Sequence, residues 1–136
     1  MKKIMFYDIL IALFIVVLLL ILINPLRGPM IYIKLKMLHL TPIGTSMEDV
    51  IKVIERQKKW RIDYINYEYG YLVFDGRPSD PIYVDASEDT IMGEKSLRAH
   101  VGGYRNIFVT DVIVFWGFDE NSKLISIHVR KDVDAL

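Results

Sequence analysis

Three histidines are the side chains of this sequence best suited to proton transfer near neutral pH. They are His39, His100 and His128, and no two of them have the spacing of an H-x-x-x-H metal motif. His100 and His128 stand beside apolar residues in segments predicted as strands. A lone strand histidine is more often structural, so we expect no catalytic residue and no enzyme. The alternative is a small membrane-bound hydrolase that uses His100 or His128 with a nearby acid.

An acidic run at residues 85–89 matches the first half of an EF-hand calcium loop. Such a loop requires glycine at its sixth position and glutamate at its twelfth, and this sequence has Thr90 and Ser96 there. We therefore expect a solvated loop, with no metal and no cofactor. The chain has no cysteine, which excludes disulfides, a thiol nucleophile, cysteine-based zinc sites and a lipid-modified cysteine.

Four tyrosines in one short segment are the strongest candidate for a binding surface. Large apolar rings with polar tips are favoured at protein interfaces. One interpretation is a protein-binding face, and the other is that this face packs against a helix. The four residues are Tyr64, Tyr67, Tyr69 and Tyr71.

The charges of the chain cancel, with 17 basic and 17 acidic residues. Lys2, Lys3 and Asp8 are the charged residues among the first 26, so the remainder has 15 basic and 16 acidic residues. A protein that binds the phosphate backbone usually has a clear basic excess. We therefore expect no nucleic-acid partner, and the remaining length suits one compact domain.

Residues 9–26 carry no charge, and 15 of these 18 residues are Leu, Ile, Val or Phe. As a helix they would be about 27 Å long, close to the roughly 30 Å of a bilayer core. The run ends without the small residues of a signal-peptidase site, because only Gly28 is small there. This predicts an uncleaved anchor that contacts the lipid bilayer through residues 9–26.

Basic residues on both sides of this run bear on its orientation. Lys2 and Lys3 favour a cytoplasmic N-terminus, whereas Arg27, Lys34 and Lys36 favour the opposite. Because the N-terminal tail is short, we expect a single-pass signal anchor in the cell membrane with the following domain outside the cytoplasm. The predicted organisation is an anchor over 1–26, a juxtamembrane segment over 27–42 and a soluble domain over 43–136.

Residues 30–40 are compatible with two structures. Pro29 could begin a short helix at the membrane interface. Alternatively, the alternation of Lys34 and Lys36 with apolar residues fits a strand. Thr41-Pro42 ends the segment in either case.

A helix is predicted over residues 46–58. Thr45 and Glu48 have the spacing of a capping box, in which each side chain binds the other's amide. Apolar residues recur at helical spacing, and two acid–lysine pairs at i,i+4 would lie on the wet face. The apolar positions are Met47, Val50, Ile51 and Ile54, and the pairs are Glu48–Lys52 and Glu55–Lys59.

The rest of the chain has strand-like patterns. Residues 60–74 alternate with a change of phase near Tyr64-Ile65, which predicts either a bulge or two strands. Residues 75–81 are predicted as a loop that starts with an Asp75-Gly76 turn. Residues 96–104 could be a strand or a short helix, whereas 109–118 and 123–129 form a hairpin about residues 119–122. The fold class is therefore α+β, with a helix packed on an antiparallel sheet of three to four strands.

Two segments give a family resemblance. Residues 43–50 (IGTSMEDV) resemble the opening of the first helix in the BamE/SmpA family of small bacterial envelope proteins. Residues 114–124 (VFWGFDENSKL) resemble that family's closing hairpin. The resemblance implies a helical part on a three-stranded antiparallel sheet, and an accessory, protein-binding role in an envelope assembly.

The favoured hypothesis is a membrane-anchored module outside the cytoplasm that binds another envelope protein. A hydrolase centred on His100 or His128 is the first alternative. A toxin-immunity or stress-response membrane protein is the second, and it rests only on small size and a single anchor.

Overall fold

A computed structural model describes residues 2–80 and 90–134 of the chain. The helical part consists of α1 (Lys2–Ile23), a short 3-10 helix (Pro25–Arg27), α2 (Met30–Leu40) and α3 (Met47–Glu55). The strands of the described residues are β1 (Arg61–Asn66), β2 (Tyr71–Phe74), β3 (Arg77–Ser79), β4 (Thr90–Met92), β5 (Lys95–Arg105), β6 (Val109–Phe118) and β7 (Leu124–Asp134).

The strands form two antiparallel sheets. The larger has four strands in the order β1-β5-β6-β7, and the smaller has three in the order β3-β2-β4. The prediction of an α+β fold with an antiparallel sheet of three to four strands is confirmed by the larger sheet. The second sheet was not predicted, and neither was the strand interpretation of residues 77–79.

The loop predicted over residues 75–81 is wrong at residues 77–79 because of a tight turn. Asp75 and Gly76 both have positive φ, at 47° and 72°. Two such residues match the twist of a two-residue hairpin, so the chain pairs back at once and Phe74 lies opposite Arg77. β3 is an edge strand, which is where a sheet tolerates Pro78.

β6 is the central strand, and it is buried on both faces. Its residues Val112, Val114, Trp116 and Phe118 pack with the helices in the main core. Ile113 and Phe115 point the opposite way and pack with Tyr71 of the small sheet. The domain therefore has three layers, with the four-stranded sheet between α2 and α3 on one side and the small sheet on the other. This double burial explains why β6 is almost continuously apolar.

Residues 30–40 form a helix, so the helical alternative was right. Ile33 and Met37 are buried in the main core. Thr41 follows the helix and is also buried, with its hydroxyl donating to the carbonyl of Met37 at 2.8 Å. Although the sequence suggested a juxtamembrane segment over 27–42, α2 packs in the same core as α3.

α3 begins one residue later than predicted and has a different cap. Ser46, and not Thr45, is the N-cap, and its hydroxyl accepts from the amide of Asp49 at 3.2 Å. The Thr45 hydroxyl donates instead to the carbonyl of Pro42. The capping box of Thr45 and Glu48 is therefore wrong.

The helix also ends earlier than predicted. Glu48 and Lys52 form the expected ion pair at 2.9 Å. α3 ends at Glu55, so Lys59 lies beyond the helix and the expected helical pair between these two residues does not apply. The sequence pattern placed the C-terminus three residues too far along the chain.

α1 is the helix, within the described part of the chain, that is long and apolar enough to cross a membrane. Its window Met5–Ile23 has a mean hydropathy of 3.1, and none of that window is buried inside the molecule. Twenty-two residues give a helix of about 33 Å, enough for a hydrocarbon core of about 30 Å.

The link between α1 and the domain is held in place by contacts to the β5–β6 hairpin. The Arg27 guanidinium donates to the Asn106 side chain at 2.9 Å and to the Arg105 carbonyl at 3.2 Å. It also lies over the Tyr104 ring, with 5.5 Å from the guanidinium carbon to the ring centre. Lys131 of β7 donates to the carbonyl of Gly28 at 2.6 Å. The linker is thus attached to the sheet.

Candidate functional site

The four tyrosines do not share one surface. Tyr71 is fully buried and Tyr64 is half-buried, whereas Tyr67 and Tyr69 are 62% and 61% exposed. The prediction that all four tyrosines form one exposed face is therefore wrong, because Tyr71 is buried. The reason is that β1 ends at Asn66, so the alternation read through residues 67–71 crosses a turn between two sheets. A binding role for Tyr67 and Tyr69 stays a prediction.

The loop that carries Tyr67 and Tyr69 has a fixed backbone. The Asn66 side-chain oxygen accepts from the amides of Glu68 and Tyr69 at 2.9 and 3.0 Å, which closes an Asx turn. The Ser96 hydroxyl of β5 donates to the Tyr69 carbonyl at 2.9 Å. Three hydrogen bonds thus hold the backbone beneath two exposed rings. We name residues 67–69 the tyrosine loop.

The tyrosine loop and the α1 junction lie at opposite ends of the larger sheet. Asn66 pairs with Ser96 at the start of β5, and β5 ends at Arg105, which contacts Arg27. Nine residue steps at about 3.3 Å each separate these ends by roughly 30 Å. The loop is therefore well removed from the residues that attach the domain to α1.

Tyr71 has a structural role between the two sheets. Its ring lies 5.5 Å from that of Phe115 and 5.5 Å from that of His128. Its hydroxyl is 2.9 Å from the Ser126 hydroxyl and also contacts the Nδ1 atom of His128. Burial raises the pKa of the Tyr71 phenol, which favours the neutral form as a hydrogen-bond donor.

Gly117 of β6 allows the small sheet to approach this closely. A Cβ atom there would lie 2.6 Å from the Ser126 hydroxyl and 2.9 Å from the Met92 carbonyl oxygen. It would also lie 3.0 Å from the Tyr71 ring. The glycine therefore removes a side chain where two sheets and a buried hydroxyl meet.

The fold favours the neutral form of the His128 ring. Burial lowers its pKa below the usual range, and the positive charge of Lys34 lowers it further. A neutral ring with its proton on Nε2 has an unprotonated Nδ1, which is an acceptor for the Tyr71 hydroxyl that it contacts. This arrangement fits a histidine that joins layers of the fold.

His100 pairs with an acid, as the hydrolase alternative would require. Its Nε2 atom is 2.9 Å from the Asp111 carboxylate on the adjacent strand β6. His100, Asp111 and His128 do not line the three cavities of about 330 to 380 Å³ that lie beside α1 and α2 and beside β3 and β7. A catalytic pair also needs space for a substrate beside it, and the hydrolase alternative stays a prediction. His39 lies exposed on α2, apart from both.

Two arginines enclose Phe115 between the sheets. The guanidinium carbons of Arg98 and Arg130 lie 5.7 and 5.3 Å from the ring centre. Arg98 pairs with Asp63 at 3.3 Å and also with Asp80 of the segment after β3. The Arg130 side chain donates to the Pro78 carbonyl at 3.0 Å. Together these contacts fasten the small sheet to the large one.

No group of three or more histidine or acidic side chains that could hold a metal ion occurs among residues 2–80 and 90–134. The acidic run at 85–89 lies outside the described residues. The expectation of a solvated loop there stays a prediction.

Comparison with known proteins gives no relatives: no family model, curated protein or solved structure matches this chain. The BamE/SmpA resemblance therefore stays a prediction.

Sequence reasoning singled out the tyrosines but missed the residues that position the loop. Asn66 and Ser96 are the missed residues, and they lie 30 positions apart in the chain. Asn66 gave a usable signal, since asparagine at the end of a strand often starts an Asx turn. Ser96 gave none, because its contact depends on the pairing of β1 with β5.

Proposed function

We propose that this chain is a membrane-anchored accessory module that binds another envelope protein through the tyrosine loop. α1 is the anchor in this proposal, and the domain lies outside the cytoplasm. Lys2 and Lys3 before the apolar run support that orientation by the positive-inside rule.

The observation that carries the binding role is the exposure of two large aromatic rings on a fixed backbone. Tyrosine supplies a large contact area at a low cost in side-chain entropy. A backbone already held by Asn66 and Ser96 loses little further freedom when a partner binds. Tyr67 and Tyr69 are therefore suited to be binding anchors, in a way that a mobile loop with the same residues is not.

The family resemblance of residues 43–50 and 114–124 supports the accessory role. In the structure these two segments lie together, since Ser46 and Lys123 form a bridge and the Met47 amide donates to the Ser122 carbonyl at 2.8 Å. The resemblance implies a helical part packed on an antiparallel sheet, and these contacts join the start of α3 to the β6–β7 turn.

Anchoring is tested by extraction of membranes with alkaline carbonate. The proposal expects the full chain to stay in the membrane pellet and a variant without residues 2–23 to be released. Protease added to intact cells should remove a C-terminal tag, and protection of that tag would contradict the proposed orientation.

Binding is tested by capture of cross-linked partners from intact membranes. Wild type is compared with a Tyr67→Ala/Tyr69→Ala variant and with Phe74→Ala, since Phe74 is equally exposed at 63% but lies on the β2–β3 hairpin. The proposal expects a partner that the double variant loses and the control keeps. The same proteins captured by all three chains would contradict it.

A further inference from the structure

Two neighbouring cavities lie where α1 joins the domain. The first has a volume of about 380 Å³ and lies in the angle between α1 and α2. Apart from Lys36 and the Tyr32 hydroxyl, its lining side chains are apolar. They include Leu18 and Ile21 of α1 and Ile33 of α2.

The second cavity also has a volume of about 380 Å³, and it is basic. It shares Pro25, Leu26 and Lys36 with the first cavity, and it adds Lys58 and Lys59 from the turn after α3. Among the residues that the structure describes, no acidic side chain lines either cavity. Three lysines therefore line a cavity that shares part of its wall with an apolar one.

Strand β5 forms one wall of the basic cavity through residues 101–103. Gly102 has a φ of +129°, at a bulge where the pairing of β5 with β6 shifts. A Cβ atom there would lie 2.8 Å from Leu26 Cδ1, so the glycine leaves space for Leu26 between the two cavities. Trp60 lines the basic cavity and is half-buried.

We propose that these two cavities bind one anionic phospholipid from the bilayer. Lys36, Lys58 and Lys59 would hold the phosphate, and the apolar cavity between α1 and α2 would take the upper part of an acyl chain. The inference rests on the proposed membrane insertion of α1, because Ile21 and Ile23 in its last turns line the cavities.

Charge and continuity favour a lipid over free phosphate. A free phosphate would use the lysines and leave the adjacent apolar cavity filled with water. In a phospholipid the phosphate is joined to apolar chains, just as the basic cavity lies beside the apolar one. Lysine side chains near a membrane surface are also attracted to anionic headgroups.

The natural tryptophans give the readout. Trp60 lines the basic cavity, whereas Trp116 is fully buried in the core and serves as a constant background. The full chain is placed in phosphatidylcholine nanodiscs, and phosphatidylglycerol with brominated chains is then included at increasing fractions. Bromine quenches a nearby indole, so binding is measured as loss of Trp60 emission.

The test variant is Lys58→Gln/Lys59→Gln, and the control is Arg77→Gln/Lys123→Gln. Both remove two positive charges from exposed positions, but Arg77 and Lys123 do not line either cavity. Each basic residue near an anionic surface contributes about 1 kcal/mol, so the test variant should need an about 30-fold higher phosphatidylglycerol fraction. The control should match wild type. Should the test variant unfold, Lys36→Gln replaces it. Losing one positive charge should raise the required phosphatidylglycerol fraction about fivefold.

Equal quenching in the test and control variants would overturn the proposal. Equal quenching by brominated phosphatidylcholine would also overturn it, because it would mean general lipid contact. Competition by inorganic phosphate would assign the site to free phosphate and overturn the lipid assignment. Carbonate extraction of the same variants separates this outcome from failure of the anchor, since α1 should hold every variant in the membrane.

Discussion

The indole nitrogen of Trp116 donates a hydrogen bond to the hydroxyl of Thr41 at 3.1 Å, across 75 residues of sequence. Both side chains are buried, at 0% and 1% exposure. Thr41 follows α2 and Trp116 lies on the central strand, so this bond joins the end of α2 to the middle of the sheet. It makes α2 part of the domain.

Thr41→Val should destabilise the domain by roughly 1–3 kcal/mol, because it leaves the buried Trp116 indole without an acceptor. The free energy of unfolding is measured by denaturant titration of the full chain in micelles, followed by circular dichroism. A double-mutant cycle with Trp116→Phe isolates the pair and should give a coupling of at least about 0.5 kcal/mol. Strict additivity of the two substitutions would contradict the contact.

Ser46→Ala should cost about 1 kcal/mol of stability, since it removes the side chain that caps α3. Thr45→Ala should cost less, because the Thr45 hydroxyl binds only the nearby, exposed Pro42 carbonyl. Denaturant titration of the full chain in micelles compares the free energies of unfolding of the two variants. A larger loss for Thr45→Ala would restore the capping box predicted from sequence.

The domain should lose stability as the pH falls below about 6.5, the ordinary pKa of histidine. The pKa of His128 is lowered in the fold, so the unfolded chain binds a proton first, and stability rises with pH in that window. His128→Gln should flatten the slope of unfolding free energy between this pH and the lowered pKa. The control is His39→Gln, which replaces a histidine at an exposed position. A slope in His128→Gln equal to that of wild type would contradict the proposed contribution of His128 to the pH dependence.

Arg27→Ala should loosen the link between α1 and the domain. It removes the contacts to Asn106 and Arg105 and the packing on Tyr104. Because the chain has no cysteine, two introduced cysteines, one in α1 and one in the β6–β7 turn, can be spin-labelled cleanly. The distance distribution should be narrow in wild type and broader in Arg27→Ala. The control is Arg56→Ala, which removes an exposed arginine at the end of α3 and should leave the distance distribution narrow. Equal widths in all three chains would contradict a role of Arg27 in holding α1 against the domain.

Local patterns in the sequence predicted those parts of the fold that depend on near neighbours. The stripe of Met47, Val50 and Ile54 identified α3, and the apolar run of residues 109–118 identified β6 as a strand. The alternation of residues 60–74 predicted either a bulge near Tyr64-Ile65 or two strands. Both occur, because the register shifts between Ile62 and Tyr64 and a second strand begins at Tyr71.

Parts that depend on distant contacts were not predictable in this way. The small sheet needs Tyr71 to pack across Gly117 and Phe115, which lie more than 40 positions away. Periodicity alone could not separate buried Tyr71 from exposed Tyr69, since both occupy the same phase of the alternation. The basic cavity likewise joins Lys36 to Lys58 only once α2 and the turn after α3 have packed together.

Site-specific photo-cross-linking from the tyrosine loop tests the proposed function most directly. A photoreactive phenylalanine analogue is placed at position 67 or 69 of the full chain in intact cells, with position 74 as an equally exposed control. The proposal predicts one discrete cross-linked protein from positions 67 and 69, and none of that size from position 74. Identical cross-links from all three positions, or none from the tyrosine loop, would contradict it.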